Sequence, residues 1–102
     1  MTKETALQAL DECRRRIDEL DLRILELLNE RTRAVERIGN AKRVLAMPIY
    51  EPRREDEVYA NITRNNGGPL PSEAVKRIFE RVIDEMRTVQ KRRMQQESEP
   101  QH

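Results

Sequence analysis

Two cations and one amide lie where a helical repeat calls for apolar side chains. Between residues 26 and 45, apolar residues return every three or four positions, yet Arg31 and Lys42 fall on the same stripe. With about 100° of rotation per residue, Lys42 lies within ~20° of Arg31 around the helix. Gln90 repeats the pattern in a later segment, one turn beyond Met86. Cations and an amide on apolar faces are suited to binding the oxygens of a small anion.

No Asp or Glu shares the stripe with Arg31 and Lys42, and a buried charge needs a partner. The two residues are ~16 Å apart along the axis, and both side chains are long enough to converge on one small dianion. We therefore expect a ligand to supply the counter-charge. The alternative is structural, because long basic side chains extend to solvent and an Arg at a helix seam can set register.

Arg14 lies at the border of the same stripe. It is ~25 Å from Arg31 along the helix, so it cannot reach the same ligand within its own chain. It could do so from an antiparallel partner helix. The composition also favours a partner, since 102 residues with 36% hydrophobic and 38% charged side chains offer little apolar core. We expect a homodimer with shared sites.

The residue inventory excludes several kinds of catalytic site. The single histidine is His102, the last residue, which excludes a His-based triad and a His-rich metal site. Cys13 is the single cysteine, and we interpret it as a buried structural thiol because no His or second Cys could activate it. No CxxC, GxGxxG or P-loop motif occurs. We expect neither a metal nor a cofactor.

Charge and hydropathy restrict the partners and the compartment. A formal net charge of +1 argues against a nucleic-acid partner and against a polybasic membrane anchor. No apolar run approaches the ~20 residues that span a bilayer, and the first residues do not resemble a signal peptide. With a single cysteine, a cytoplasmic protein is expected.

Three helices are predicted to carry these residues, so the fold class is all-α. The first helix runs from about Glu4 to about Ala46 and ends before Pro48, which cannot continue it. At ~1.5 Å per residue it is ~60 Å long, far beyond the ~13 Å radius of gyration of a compact domain of this size. A partner chain is the natural cover for its apolar stripe.

The second helix is predicted to begin at Pro52 and to stop near Asn65, before the NNGGPLP break. The third begins at Ser72, which we interpret as its N-cap. Residues 1–93 form the predicted domain, and the polar tail of residues 94–102 is predicted to be disordered. Because the chain ends soon after the third helix, we expect a free-standing, monofunctional protein.

Several motifs follow one another at characteristic spacing along residues 10–90. They are the stretch LDECRRRIDELDLRILELLNERTRAVERIGNAKR with its R-x-x-I-D-x-x-D start and I-G-x-x-K end, the segment PIYEPRRE, and a Gln late in the third helix. No single motif would suffice, but the ordered set resembles the all-helical (type II) chorismate mutases. The resemblance implies an intertwined homodimer of three-helix chains with two active sites. It also implies the Claisen rearrangement of chorismate to prephenate, in phenylalanine and tyrosine biosynthesis.

The resemblance also implies roles for individual residues. Arg31 would bind a substrate carboxylate, and Arg14 would reach in from the partner chain to help hold a carboxylate. Arg54 would add positive charge to the pocket. Lys42 and Gln90 would donate hydrogen bonds to the ether oxygen of chorismate. A pericyclic reaction needs no nucleophile, metal or general base, which agrees with the inventory of residues.

Three further positions complete the set implied by the family. Glu55, with the segment at Glu51, would accept a hydrogen bond from the substrate hydroxyl. Glu51 stands where Asp is also found in the family. Met86 stands where some members place a Ser, so one hydrogen bond to a substrate carboxylate is missing from the family pattern.

Two other functions remain as alternatives. Isochorismate-pyruvate lyases share this fold and much of the charged pocket, although the Pro-Ile-Tyr-Glu-Pro segment looks more like the mutases. A non-catalytic helical dimer could instead regulate a partner enzyme of aromatic biosynthesis. A plain scaffold or nucleic-acid adaptor would leave Arg31, Lys42 and Gln90 unexplained.

Overall fold

The computed structural model describes residues 1–98, and these form three helices without any strand. The helices are α1 (Lys3–Val44), α2 (Pro52–Asn65) and α3 (Ser72–Ser98). The all-α prediction with a very long first helix is therefore confirmed. None of the described helices is long and apolar enough to cross a membrane.

Helix α1 begins one residue earlier than predicted because Thr2 caps it. The Thr5 amide donates to Thr2 Oγ1 at 3.1 Å, and the Ala6 amide donates to the Thr2 carbonyl at 2.9 Å. A hydroxyl side chain at this position satisfies one of the backbone N–H groups that the first helical turn leaves without a partner.

Helix α1 ends at Val44, two residues before the predicted end, in a Schellman turn. The Ala46 amide donates to the Arg43 carbonyl at 3.2 Å, and the Met47 amide donates to the Lys42 carbonyl at 2.8 Å. Ala46 has a φ of 55°, the left-handed conformation that such a turn requires and that usually selects glycine. The chain turns here because of this local cap, before Pro48 is reached.

The start of α2 agrees with the prediction. Glu51 is the N-cap residue and Pro52 follows it at the first helical position, where its missing N–H costs nothing. The Glu55 amide donates to the Glu51 carbonyl at 3.0 Å. Glu51 and Glu55 are thus fixed one turn apart at the start of α2.

The N-cap of α3 was predicted wrongly. The Pro71 carbonyl accepts from the Ala74 and Val75 amides at 3.0 and 3.1 Å, so Pro71 is the N-cap and Ser72 is already helical. The Ser72 hydroxyl instead accepts from Asn66 Nδ2 at 3.4 Å. The helix also continues through residues 94–98, where a disordered tail was predicted, and residues 99–102 of that tail lie outside the described residues.

Residues 1–33 and residues 34–102 form two compact units, the second described as far as residue 98. The first unit is part of α1 alone, so nothing in it covers the apolar stripe. Cys13 is exposed there, which corrects the prediction of a buried thiol. Large apolar side chains of this part of α1 are exposed as well: Leu7, Leu10, Ile17, Leu20, Leu22, Ile24, Leu25 and Leu27.

The second unit holds the small core of the chain. Its buried apolar side chains are Val35 from α1 and Ile83 and Met86 from α3. An ion pair joins the same two helices, with Arg93 Nε 3.1 Å from Glu36 Oε2. The end of α1, the connection after it, α2 and α3 therefore belong to one packed unit.

Candidate functional site

Lys42 is the buried cation of the second unit, with only 6% of its surface exposed. Its Nζ donates to the Ile49 carbonyl at 2.7 Å and lies 2.9 Å from Glu51 Oε1. The expectation that the chain supplies no counter-charge for Lys42 is therefore wrong. No Asp or Glu lies on the apolar stripe of α1 beside Lys42. The counter-charge comes from Glu51, which follows the connection between α1 and α2.

The end of α1 explains this pairing. The Lys42 carbonyl accepts the Met47 amide in the Schellman turn, so the chain reverses within one turn of the Lys42 side chain. The following residues then pass back over it, and Ile49 and Glu51 face its ammonium group. An ammonium group has three N–H donors, and these two partners account for two of them. One N–H remains for a ligand.

Gln90 is the second buried polar residue, with 7% of its surface exposed. It packs on Gly39 of α1, because a Cβ added at Gly39 would lie 3.6 Å from Gln90 Cγ. Gly39 and Lys42 are three residues apart on one helix and so share a face. The I-G-x-x-K motif therefore combines a small residue, on which the Gln packs, with the cation one turn later.

The amide of Gln90 is incompletely satisfied. Its Oε1 is buried and has no hydrogen-bond partner among the described residues. Such a group costs about 1–3 kcal/mol in a folded protein. Rotating the amide by half a turn exchanges oxygen and nitrogen, so this end of the side chain can offer either an acceptor or a donor to a ligand.

Glu55 is held by a residue that the sequence analysis did not identify. Arg87 Nη2 lies 3.3 Å from Glu55 Oε1 and 2.8 Å from Asp84 Oδ1. The Arg87 guanidinium also lies over the Tyr50 ring, 5.3 Å from its centroid. The sequence offered one sign that Arg87 could belong to the site. Arg87 lies three residues before Gln90, so the two side chains share one face of α3.

The pKa of the Tyr59 phenol is affected by the charged groups near it. Burial raises its pKa above the ordinary 10.0, and the nearby carboxylates of Glu55, Glu80 and Asp84 raise it further. The Arg87 cation acts in the opposite direction. Acidic side chains of α2 and α3 therefore lie close to one another here, with Arg87 as a cation among them.

Two other predicted site residues of the second unit have ordinary structural surroundings. Arg54 is exposed, and its Nη1 pairs with Glu57 Oε2 at 3.2 Å along α2. Exposed pairs of this kind contribute little, so the pair does not restrain Arg54 strongly. Met86 is buried in the core at 8% exposure, as an apolar side chain should be.

Arg14 and Arg31 lie in the first unit. Arg14 is exposed, and Arg31 is partly buried on the same helix. The structure thus brings Lys42, Glu51 and Gln90 into one packed unit, and Glu55 belongs to it as well. The approach of Arg14 and Arg31 to a ligand stays a prediction.

The geometry suits a ligand that carries negative charge on oxygen. One N–H of a buried ammonium and one buried amide can both hydrogen-bond to it, and neither needs to gain or lose a proton. Among residues 1–98, no group of three His, Cys, Asp or Glu side chains could hold a metal ion.

Comparisons with known proteins give a consistent result. Residues 13–91 match the family described as chorismate mutase type II. A bifunctional chorismate mutase/prephenate dehydratase of Aquifex aeolicus is 38% identical over 90 residues, which is 84% of this chain and 25% of that protein. A chorismate mutase of Methanocaldococcus jannaschii is 36% identical over 58 residues, covering 57% of this chain and 59% of that protein.

A solved structure agrees with the fold. The chorismate mutase (form II) of Thermus thermophilus superimposes with a TM-score of 0.78 at 36% identity, covering 85% of this chain and 96% of that chain. The chain spans only about a quarter of the length of the bifunctional relatives.

Proposed function

The chain belongs to the type II chorismate mutase family, and from that premise we propose that it rearranges chorismate to prephenate. One observation carries the proposal. The polar side chains buried in the described part of the chain are Lys42 and Gln90, an ammonium and an amide. Ile49 and Glu51 satisfy Lys42 only in part, and the buried Gln90 oxygen has no partner among the described residues, so a polar ligand would complete the hydrogen bonding of both groups.

The reaction breaks an ether C–O bond while a C–C bond forms, and negative charge grows on the ether oxygen as the bond breaks. The remaining N–H of Lys42 and the amide of Gln90 donate to that oxygen. Lys42 is already held by Ile49 and Glu51, and the Gln90 side chain is placed by packing on Gly39, so that rotation of its amide is enough to present a donor. Preorganised donors stabilise the transition state more than the substrate, because they need no reorganisation as charge develops.

The substrate is a flexible dianion and must be held in its reactive conformation. We assign its carboxylates to Arg31 and to Arg14 of the partner chain, since a guanidinium can bind a carboxylate through two parallel N–H groups. Holding the reacting atoms in contact supplies part of the rate acceleration. Arg54 adds positive charge to the same pocket.

The substrate hydroxyl is assigned to Glu55. One of its oxygens pairs with Arg87, and the other is available to accept a hydrogen bond from the substrate hydroxyl. Glu51 was expected to share this task, but its carboxylate pairs with Lys42. We therefore propose that the Glu51 side chain acts by holding Lys42, and that its segment meets the substrate through backbone groups.

The partner chain in this proposal is a second copy of the same protein. Eight large apolar side chains are exposed along the part of α1 in the first unit, and those that lie within about 60° of Arg31 around the helix form one stripe: Leu10, Ile17, Leu20, Ile24 and Leu27. An apolar stripe of this size needs cover. An antiparallel copy of α1 would cover it and would bring Arg14 to the neighbouring site.

We also propose a compartment and a class of partner enzyme for this chain. The single cysteine fits a cytoplasmic protein. The Aquifex relative is named for both chorismate mutase and prephenate dehydratase. An enzyme that consumes prephenate is therefore the class of partner that we propose for this chain.

Turnover tests the proposal. The purified chain is incubated with chorismate, and loss of substrate is followed together with formation of prephenate. We expect prephenate as the product, without any added metal or cofactor. A folded dimer that leaves chorismate unchanged would contradict the proposed activity.

A further inference from the structure

Arg87 contacts three different segments of the second unit through its charged group. Its Nη2 binds Glu55 of α2 at 3.3 Å and Asp84 of its own helix at 2.8 Å. Its guanidinium lies 5.3 Å from the centroid of the Tyr50 ring, in the connection between α1 and α2. A single side chain therefore ties the connection and α2 to α3.

Each segment that Arg87 contacts carries a residue of the proposed site. Tyr50 stands between Ile49 and Glu51, which both bind the Lys42 ammonium. Glu55 is the proposed acceptor for the substrate hydroxyl. Arg87 itself precedes Gln90 by three residues on α3.

The charge of Arg87 also matters for binding an anion. The cluster of Glu55, Glu80 and Asp84 lies close enough to Tyr59 to raise its pKa, and the Lys76 ammonium lies over the same ring, 5.5 Å from its centroid. A dianionic substrate that approaches such a cluster is repelled unless a cation offsets it. Arg87 lies within the cluster and is only partly exposed, so its charge is less screened than that of a surface residue.

We propose that Arg87 is a positioning residue for the rearrangement, holding the Glu55 carboxylate and the Tyr50 segment where the substrate meets them. This role rests on the proposed function. One Glu55 oxygen is bound to Arg87, which fixes the direction of the other toward the substrate hydroxyl. The stacking on Tyr50 holds the segment whose Ile49 carbonyl and Glu51 carboxylate orient Lys42.

An arginine suits this role better than a lysine. Its planar guanidinium can stack on an aromatic ring while its edge donates to carboxylates. Lysine keeps the charge but has no planar group, so it can bind Glu55 or approach Tyr50 without combining both contacts. The Arg87 Nε is buried without a hydrogen-bond partner among the described residues, while the side chain as a whole is 32% exposed.

The test measures kcat and KM for Arg87→Met, Arg87→Lys, Glu55→Gln and the double variant Arg87→Met/Glu55→Gln. Arg81→Met is the matched control, because Arg81 lies on the same helix in an exposed pair with Glu85 at 2.8 Å. Circular dichroism and urea unfolding check that each variant keeps its helices.

We expect Arg87→Met to lower kcat/KM about tenfold, Arg87→Lys to recover part of the loss, and Arg81→Met to change nothing. In the Glu55→Gln background, Arg87→Met should have a clearly smaller effect, because contacting residues are coupled and only the part that acts through Tyr50 remains to be lost. A merely structural residue would lower stability without such coupling in kcat/KM. If Arg87→Met fails to fold, Arg87→Lys replaces it under the same criterion.

The same kinetic effect in both Glu55 backgrounds would overturn the role, as would unchanged kinetics of a folded Arg87→Met. In either case turnover by the unchanged protein would leave the proposed function intact. Absence of turnover by the unchanged protein would overturn the proposed function and this role with it.

Discussion

Lys42 Nζ lies 2.9 Å from Glu51 Oε1, a contact between the last turn of α1 and the N-cap of α2. The buried Lys42 therefore has its counter-charge within the chain, and one of its three N–H donors is still available. The pair fixes the ammonium group before any ligand arrives. In this view the substrate completes the coordination of Lys42, and Glu51 determines where Lys42 points.

Replacing Lys42 removes the principal donor to the ether oxygen. Loss of one preorganised donor typically costs about 3 kcal/mol, a factor of roughly 100 or more in kcat. We expect Lys42→Ala to lose at least this much while the helices and the dimer persist, as measured by turnover, circular dichroism and sedimentation. Lys91→Ala is the control, because Lys91 is exposed beside Gln90. Near-full turnover of Lys42→Ala would remove Lys42 from the mechanism.

The neutral amide of Gln90 donates at any pH, whereas a carboxyl group donates only when protonated. Gln90→Glu should therefore lose activity at neutral pH and recover it as the pH falls and the new carboxyl gains its proton. The measurement is kcat/KM against pH, with Gln95→Glu, an exposed change on the same helix, as the control. A profile for Gln90→Glu parallel to that of the unchanged protein would rule out the donor role.

Shared sites predict complementation between two inactive variants. Arg14→Ala and Arg31→Ala chains are unfolded, mixed in equal amounts and refolded together. Random pairing in a two-fold dimer makes about half of the dimers mixed, each with one intact site of two, so about a quarter of normal activity should return. Each variant refolded alone is the control. If both residues acted within one chain, mixing would restore nothing.

Tyr59 should titrate above the ordinary 10.0, because burial and the carboxylates of Glu55, Glu80 and Asp84 raise its pKa. Since the chain has two tyrosines, Tyr50→Phe leaves Tyr59 alone for titration by tyrosinate absorbance. Tyr59→Phe, which leaves Tyr50, is the comparison. A Tyr59 that ionises at or below the ordinary value would contradict the burial and charge described for it.

The raised pKa of Tyr59 also makes the free energy of unfolding depend on pH. Above the ordinary pKa the unfolded chain gives up this proton first, so the free energy of unfolding falls as pH rises toward the folded value. Below the ordinary pKa the contribution is fully present and constant. Tyr59→Phe should therefore have a shallower loss of stability in alkaline solution than the unchanged protein.

The helices could be read from the sequence because each has a local signal. The apolar period defines α1 and α3, and Pro52 marks the start of α2. The buried state of Lys42 and Gln90 also followed from this period, since both lie on otherwise apolar faces. These predictions depend on rotation around one helix axis, which sequence spacing determines.

The contacts that the site residues make with other side chains could not be predicted from sequence spacing. The contact of Glu51 with Lys42 depends on a chain reversal at Ala46, where an alanine adopts a backbone conformation that usually selects glycine. The contact of Arg87 with Glu55 joins residues 32 positions apart on two helices. Neither the period nor a turn motif encodes such contacts, which arise only when the helices pack.

The most direct test of the account is the identity of the product. Purified protein is incubated in parallel with chorismate and with isochorismate, and the products are identified by NMR, with buffer alone as the reference for uncatalysed change and Lys42→Ala as the impaired variant. We expect prephenate from chorismate at a rate that Lys42→Ala does not reach. Pyruvate and salicylate from isochorismate, with chorismate left unchanged, would make the protein a lyase and contradict the account. No product from either substrate in a folded dimer would contradict it as well.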